Sequence, residues 1–511
     1  MLVDKKFVVL LLLVVSGLRG AAQWDRVRVD GGVISGRADA AGELHIFQGV
    51  PFAAPPVGEL RWKEPQPVVP WQGARACDSF GPSPMQGKPV PFSMWSQEFL
   101  IPASPISEDC LYLNVWTGAK TPGERRPVLV WIYGGGFGSG GAGVPIYDGA
   151  ATARKGVVFV SINYRVGIFG FFAHPDLTVE SGHHGSGNYG LMDQIAALKW
   201  VQQNIAAFGG DPANVTIAGQ SAGSMSVSCL VASPLAKGLF NKAIGESGAN
   251  FSNDNASLLT AENAGQQLMQ HLNVASLKDL RAMPAEELMK KAQGSWRPVV
   301  DGYVLPDAVA AIFRNHKENA AGLLTGWTDD EIAPPVESAR NFQKEISFLF
   351  KNFDSATFFQ YYPAETDSEA AVSEKRFVRD MAFGVQNFAW ANIVSAQGSR
   401  VYVYRFTRKV PATGEYKKYG AFHTGEVPYA YDNLQFVNRP WESVDRHLAL
   451  VMSDYWVNFV KTGNPNVPGL PQWEAYNTQD KMIMNLGVQP AGEPMPDARA
   501  LEYLFSKLSS R

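Results

Sequence analysis

At 511 residues the chain is long enough for a sizeable core, and its formal net charge of -3 gives it no general attraction to nucleic acid or anionic lipid. Hydrophobic residues at 46% and charged residues at 18% exclude an intrinsically disordered chain. No internal repeat, low-complexity block or flexible linker divides the sequence.

Lys5 and Lys6 precede the unbroken apolar run 7–15, which is too short to cross a bilayer and suits the core of a signal peptide. Gly20-Ala21-Ala22 then offers small residues for cleavage before Gln23. Residues 1–22 therefore read as a signal peptide and 23–511 as the mature protein, secreted or periplasmic. No cysteine follows the apolar run and no later stretch is long and apolar enough to span a membrane, so no stable membrane anchor is expected. Three cysteines follow, Cys77, Cys110 and Cys229, and an oxidising compartment favours pairing two of them. Cys229 lies in an apolar run and reads as a buried thiol.

The region up to about residue 115 is rich in short strands and turns. Segments 128–133 and 157–162 read as fully buried strands bounded by glycine and polar breaks, as parallel sheets require. Directly after the first comes Tyr133-Gly134-Gly135-Gly136-Phe137-Gly138, where the missing Cβ atoms let backbone amides point into a site and hold a developing negative oxygen. A phosphate cradle needs a lysine beside Ser or Thr at the next helix start, and Gly138-Ser139-Gly140-Gly141 supplies none. His183-His184 lacks spaced cysteine or carboxylate companions and reads as a solvated loop, so no metal site is expected.

Segment 191–204 carries apolar residues at helical spacing and leads into strand 214–218. There Gly219-Gln220-Ser221-Ala222-Gly223 stands between that strand and the apolar segment 222–231, a helix candidate. In a chain with 49 glycines the Gly-x-Ser-x-Gly pattern alone is weak. Its position between strand and helix is what makes Ser221 a candidate nucleophile on a strained bend. Helical segments 256–291 and 365–398 and strands 323–325 and 401–404 complete an α/β order. It implies a mostly parallel central sheet with helices on both faces and a helical insertion after the bend.

A serine nucleophile needs a base, and in this architecture acid and then histidine follow it in the chain. Only His271, His316, His423 and His447 come after Ser221. His447 sits in the apolar-periodic helix 444–461, whereas His423 lies in Gly420-Ala421-Phe422-His423-Thr424-Gly425-Glu426, a loop beyond a strand end where catalytic groups gather. Asp329, Asp330 and Glu331 crowd together after strand 323–325, so location picks the acidic cluster and not its member.

The elbow 216–224, the segment Ser107-Glu108-Asp109-Cys110-Leu111-Tyr112-Leu113-Asn114-Val115, the glycine run 133–137, and Phe47-Gln48-Gly49-Val50-Pro51 with Leu60-Arg61-Trp62 together resemble the type-B carboxylesterase family of α/β-hydrolases. The likeness runs from about Val27 to the C-terminus. It implies an α/β-hydrolase fold over 23–511, a triad of Ser221, Glu331 and His423, and oxyanion hydrogen bonds from Gly135, Gly136 and Ala222. It also implies a disulfide between Cys77 and Cys110 and an ion pair of Arg61 with Glu108. Two positions depart from the family pattern. Gln220 stands where cholinesterases of the family carry glutamate, which makes choline esters poor candidates, and Ile332 stands where many members have glycine. The implied reaction is acyl transfer from an ester to water, with no cofactor. Trp95, Phe251 and Trp327, with Phe92, Met94 and Phe99, are the candidates for the substrate pocket. The competing readings are a non-catalytic binding protein on the same fold and a lipase or amidase using the same machinery.

Overall fold

Residues 26–251, 256–332, 338–349 and 354–509 are described in the computed structural model, so the expected signal peptide lies outside the described residues. The apolar runs form an eleven-stranded sheet. In chain order its strands are β1 (Arg37–Ala38), β2 (His45–Pro51), β3 (Tyr112–Thr117), β4 (Arg126–Ile132), β5 (Val158–Ile162), β6 (Gly210–Gln220), β7 (Lys242–Glu246), β8 (Gly322–Thr328), β9 (Val401–Phe406), β10 (Met482–Leu486) and β11 (Ala491–Pro494). Across the sheet they run β11-β10-β9-β8-β7-β6-β4-β5-β3-β2-β1. Every neighbouring pair from β10 to β5 is parallel, and the strands at both margins are antiparallel. All of β5 and the last five residues of β4 are buried, which is why neither shows a regular polar–apolar alternation, Ser161 being the one polar residue among them.

Seven helices carry most of the covering layers: α1 (Tyr189–Asn204), α2 (Ala222–Ala232), α3 (Leu258–His271), α4 (Asp367–Arg379), α5 (Val385–Ala396), α6 (Ser443–Thr462) and α7 (Ala498–Ser509). The two long helical segments expected from periodicity are both interrupted. Segment 256–291 turns at Asn273, whose φ is +54°, and continues as the short helices Leu277–Ala282 and Ala285–Lys291. Segment 365–398 opens with a capping box of Thr366 and Glu369 and contains a π-helical turn, Asp380–Gly384, between α4 and α5. No helix of the described residues is long and apolar enough to cross a membrane.

The strand order reverses between β4 and β6, and the crevice at such a reversal is where α/β sheets bind ligands. Register brings the relevant ends level there: Ile132 pairs with Gly219, Gln220 with Glu246, and Glu246 with Gly326. The glycine run, Ser221 and the acidic cluster thus leave the sheet side by side.

The expected bridge between Cys77 and Cys110 is absent, and both are buried free thiols, as is Cys229. Cys77 Sγ lies 3.8 Å from the Gly49 carbonyl oxygen and donates to it, while Cys110 sits beside Arg61, Glu108 and Arg165. Burial pushes the Cys77 thiol up to about 11 and that of Cys110 well above its usual value, which disfavours the thiolate form at both sites. The Arg61–Glu108 pair is present as a two-pronged contact of 2.7 and 2.6 Å. Arg61 Nη1 also donates to the carbonyls of Leu280, Arg281 and Met283, tying the N-terminal region to the helical insertion.

Candidate active site

β6 ends at Gln220 and α2 begins at Ala222, so Ser221 alone makes the bend, with φ +59° and ψ −125°. A non-glycine residue in such a region costs about 1–3 kcal/mol and persists only where its surroundings hold it. The Ser221 amide donates to the Glu246 carbonyl at 2.8 Å, and its carbonyl accepts from the Met225 amide at 2.9 Å. The flanking glycines are required by contact. A Cβ on Gly219 would lie 2.5 Å from the Gly223 carbonyl carbon, and one on Gly223 would overlap the carbonyl oxygen of Ile132.

The glycine run folds back against this bend. A Cβ on Gly134 would stand 2.6 Å from the Gln220 carbonyl oxygen and 2.9 Å from Ser221 Cβ, so the loop backbone touches the serine. Gly135 and Gly136 adopt φ values of +108° and +63°. The loop is pinned by Gly138 and Ser139 amides to the Gly135 carbonyl, both 3.1 Å, and by Gln86, which exchanges two hydrogen bonds with Gly140. Ala222, as the first residue of α2, has an amide that the helical ladder leaves over.

The acidic cluster is sorted by its partners. Asp329 pairs with Arg379 and Arg405 at 3.0 and 3.2 Å, and Asp330 accepts from the Ala421 amide and pairs with Lys375. Glu331 alone reaches the imidazole: its Oε2 is 2.5 Å from His423 Nδ1, while Oε1 accepts from the Thr328 amide at 2.8 Å. The His423 amide donates to the Glu331 carbonyl at 2.9 Å, so backbone and side chain together fix the pair. With Nδ1 donating to the carboxylate, Nε2 is left as the acceptor.

Two further side chains hold the ring. Phe383, in the π-helical turn, stacks on it with centroids 4.4 Å apart, and the Gln220 carboxamide nitrogen lies 3.1 Å from Nε2 and 3.4 Å from Nδ1. Gln220 Oε1 accepts from Thr424 Oγ1 at 3.3 Å, and Thr424 Oγ1 accepts from Trp95 Nε1 at 3.1 Å. Behind the ring, burial together with Glu246 and Glu331 pushes Glu426 well above the carboxylate range. Glu246 is pushed up to about 7 by burial, against hydrogen bonds from Trp456 and Tyr431 that favour its charge. Burial and the two neighbouring carboxylates thus favour the neutral form of Glu426 beside Glu331.

Ser221, Ala222, Gly135, Gly136, His423 and Trp95 line one cavity of about 560 Å³, together with Phe92, Phe99 and Ile332. Glu331 stands fully buried behind His423. Phe251 and Trp327 are not on its wall, and this corrects their expected pocket role. Phe251 packs on Phe313 and Trp390, and Trp327 is fully buried beneath the Arg405 guanidinium at 4.5 Å. Met94 is likewise core, His447 is exposed on α6, and His183 pairs with Glu64 at 2.9 Å and stacks on Tyr303. Phe383, Met225 and Arg297, all absent from the sequence reading, do line the cavity. Long-range packing brings Phe383 and Arg297 there, whereas Met225 follows from the helix geometry, one turn after Ser221.

The model of the carboxylesterase family matches residues 23–503. The chain is 34% identical over 497 residues to fumonisin B1 esterase of Sphingopyxis macrogoltabida, covering 92% of this chain and 88% of that protein. It is 34% identical over 487 residues to para-nitrobenzyl esterase of Bacillus subtilis (strain 168), covering 90% and 95% respectively. Liver carboxylesterase 1 of Oryctolagus cuniculus is 34% identical over 518 residues, covering 91% and 90%. A match of that extent, on a mostly parallel sheet surrounded by helices, makes the protein a member of the carboxylesterase family and a carboxylic ester hydrolase of the serine type.

Proposed function

We propose that the chain is an exported carboxylesterase working through Ser221, His423 and Glu331 by way of an acyl-enzyme. The observation that carries this reading is the 2.5 Å contact of Glu331 with His423 Nδ1, behind a cavity lined by both His423 and Ser221. His423 Nε2 takes the proton of Ser221 as the hydroxyl attacks the ester carbonyl, and Glu331 stabilises the imidazolium that forms. The amides of Gly135, Gly136 and Ala222 hold the oxygen of the tetrahedral intermediate. His423 then protonates the departing alcohol, and water repeats the sequence on the acyl group. The charged, apolar and small-residue order of 1–22 supports export.

The test is pre-steady-state hydrolysis of 4-nitrophenyl butyrate. The native chain is expected to release a burst of nitrophenolate matching the enzyme concentration. Ser221→Ala should lose the burst and drop turnover by roughly a millionfold, the scale seen when a nucleophile of this kind is removed. A Ser221→Ala protein that folds and turns over at the native rate would overturn the assignment.

A further inference from the structure

The charge balance of the cavity points to a substrate class, and the inference rests on the esterase reading above. Among the described residues lining the cavity, the formal charges outside the histidine are Lys88 and Arg297, both positive, and no carboxylate is present. A second chamber of about 470 Å³ meets the first at Phe137, Met225 and Arg297, which line both. In that chamber Arg297 is the only charged side chain among the described residues. The junction is close to the chemistry, because Met225 is one helical turn from Ser221 and donates its amide to the serine carbonyl.

Among the described residues, Arg297 is also without a carboxylate partner, and its Nε donates to Ser295 Oγ at 2.9 Å. Its neighbours at the junction, Phe137 and Met225, are apolar and do not cancel its field. Arg297 is exposed where an apolar cavity meets a chamber of mixed lining that includes Asn250, Thr260 and Gln386. A planar fork whose Nη donors have no carboxylate partner among the described residues matches one ligand group best, a carboxylate held by parallel hydrogen bonds.

We propose that Arg297 anchors an ionised carboxyl group on the substrate, so that the preferred esters carry a free carboxylate a few atoms from the scissile carbonyl. Lys88, exposed on the same cavity, adds to the field that draws such an anion in. Neutral esters bind through the apolar wall alone, and cationic esters are repelled.

Matched ester pairs test this. One pair puts the charge on the acyl part, monophenyl adipate against phenyl hexanoate. The other puts it on the alcohol part, 3-carboxyphenyl butyrate against 3-acetylphenyl butyrate. The native enzyme is expected to favour the carboxylate member of at least one pair in kcat/KM, and which pair responds tells which side of the ester faces Arg297. Arg297→Gln should reduce that preference about tenfold, chiefly through KM, the lower end for a charge-assisted contact in a partly open site. Arg297→Lys should restore part of it, and high salt should erode it in the native enzyme. A preference unchanged by Arg297→Gln, or a native enzyme that favours the neutral member of both pairs, overturns the proposal while leaving the esterase reading intact. Hydrolysis of none of these esters would instead overturn the esterase reading.

Discussion

Gln220 occupies the position between Gly219 and the serine, and its carboxamide does work that a carboxylate there cannot. Its nitrogen donates toward His423 Nε2 at 3.1 Å, which suits the neutral ring whose Nδ1 is given to Glu331. A carboxylate in its place has no proton to offer Nε2 and favours the imidazolium instead. Gln220→Glu is therefore expected to move the acid limb of the kcat/KM profile upward by about one pH unit, since an added negative charge within hydrogen-bond reach keeps the base protonated to higher pH. The same variant should improve butyrylcholine relative to butyl butyrate, because it puts an acid into a cavity whose described lining has none. A pH profile superimposable on that of the native enzyme would show that Gln220 does not touch the base in solution.

At the level of elements, the elbow is held by backbone-to-backbone contact. Gly223, in the first turn of α2, faces the carbonyl oxygens of Ile132 and Tyr133, so α2 lies directly on the end of β4. Gly223→Ala must push the helix off that strand, and overpacking of this kind costs about 1–3 kcal/mol. We expect a lower thermal midpoint together with a loss of kcat, since Ser221 and the Gly134 loop move apart. Gly136→Ala is the comparison: open space surrounds that position, so its cost is confined to the φ of +63° and should be about 1 kcal/mol. Equal midpoints for Gly223→Ala and the native chain would mean the helix can shift without strain. The elements themselves were legible because their signals are local. Strand 128–133 corresponds to β4, strand 157–162 to β5, and helices 191–204 and 222–231 to α1 and α2, each within a few residues. The π-helical turn that delivers Phe383 to the imidazole had no signal, since the segment 381–396 is equally compatible with an unbroken helix. Aromatic side chains were sorted poorly for a related reason. Trp95 and Trp327 have the same chemistry, and only the tertiary fold decides that one faces the cavity and the other lies under Arg405.

Across the whole molecule, the partners of Asp329 belong to a charge cluster that no single segment contains. Asp497, just before α7, accepts from Arg379 of α4 at 2.6 Å and from Arg405 of β9 at 2.9 Å, and both arginines also hold Asp329. Arg379 Nε is taken by Asp380 at 2.7 Å. The cluster joins the helical insertion, the sheet and the C-terminal helix beside the loop that carries Glu331, and it keeps Asp329 turned away from the imidazole. Burial works to raise the Asp497 carboxyl, but Arg405 and Arg379 outweigh it and hold the group below its ordinary value. A carboxyl with a lowered native pKa contributes stability above its unfolded pKa and loses it as pH falls through the native value. Asp497→Asn removes one partner of a buried network and is expected to cost about 3 kcal/mol near neutrality. The gap from the native chain should begin to narrow below about pH 4, the ordinary Asp value, and close only below the lowered native value, where protonation disables the native carboxylate as well. Thermal midpoints of both proteins measured across that range provide the check. A gap that stays constant down to the acid limb would assign the loss to altered packing around α7, leaving the charge of Asp497 without a part in joining the three regions.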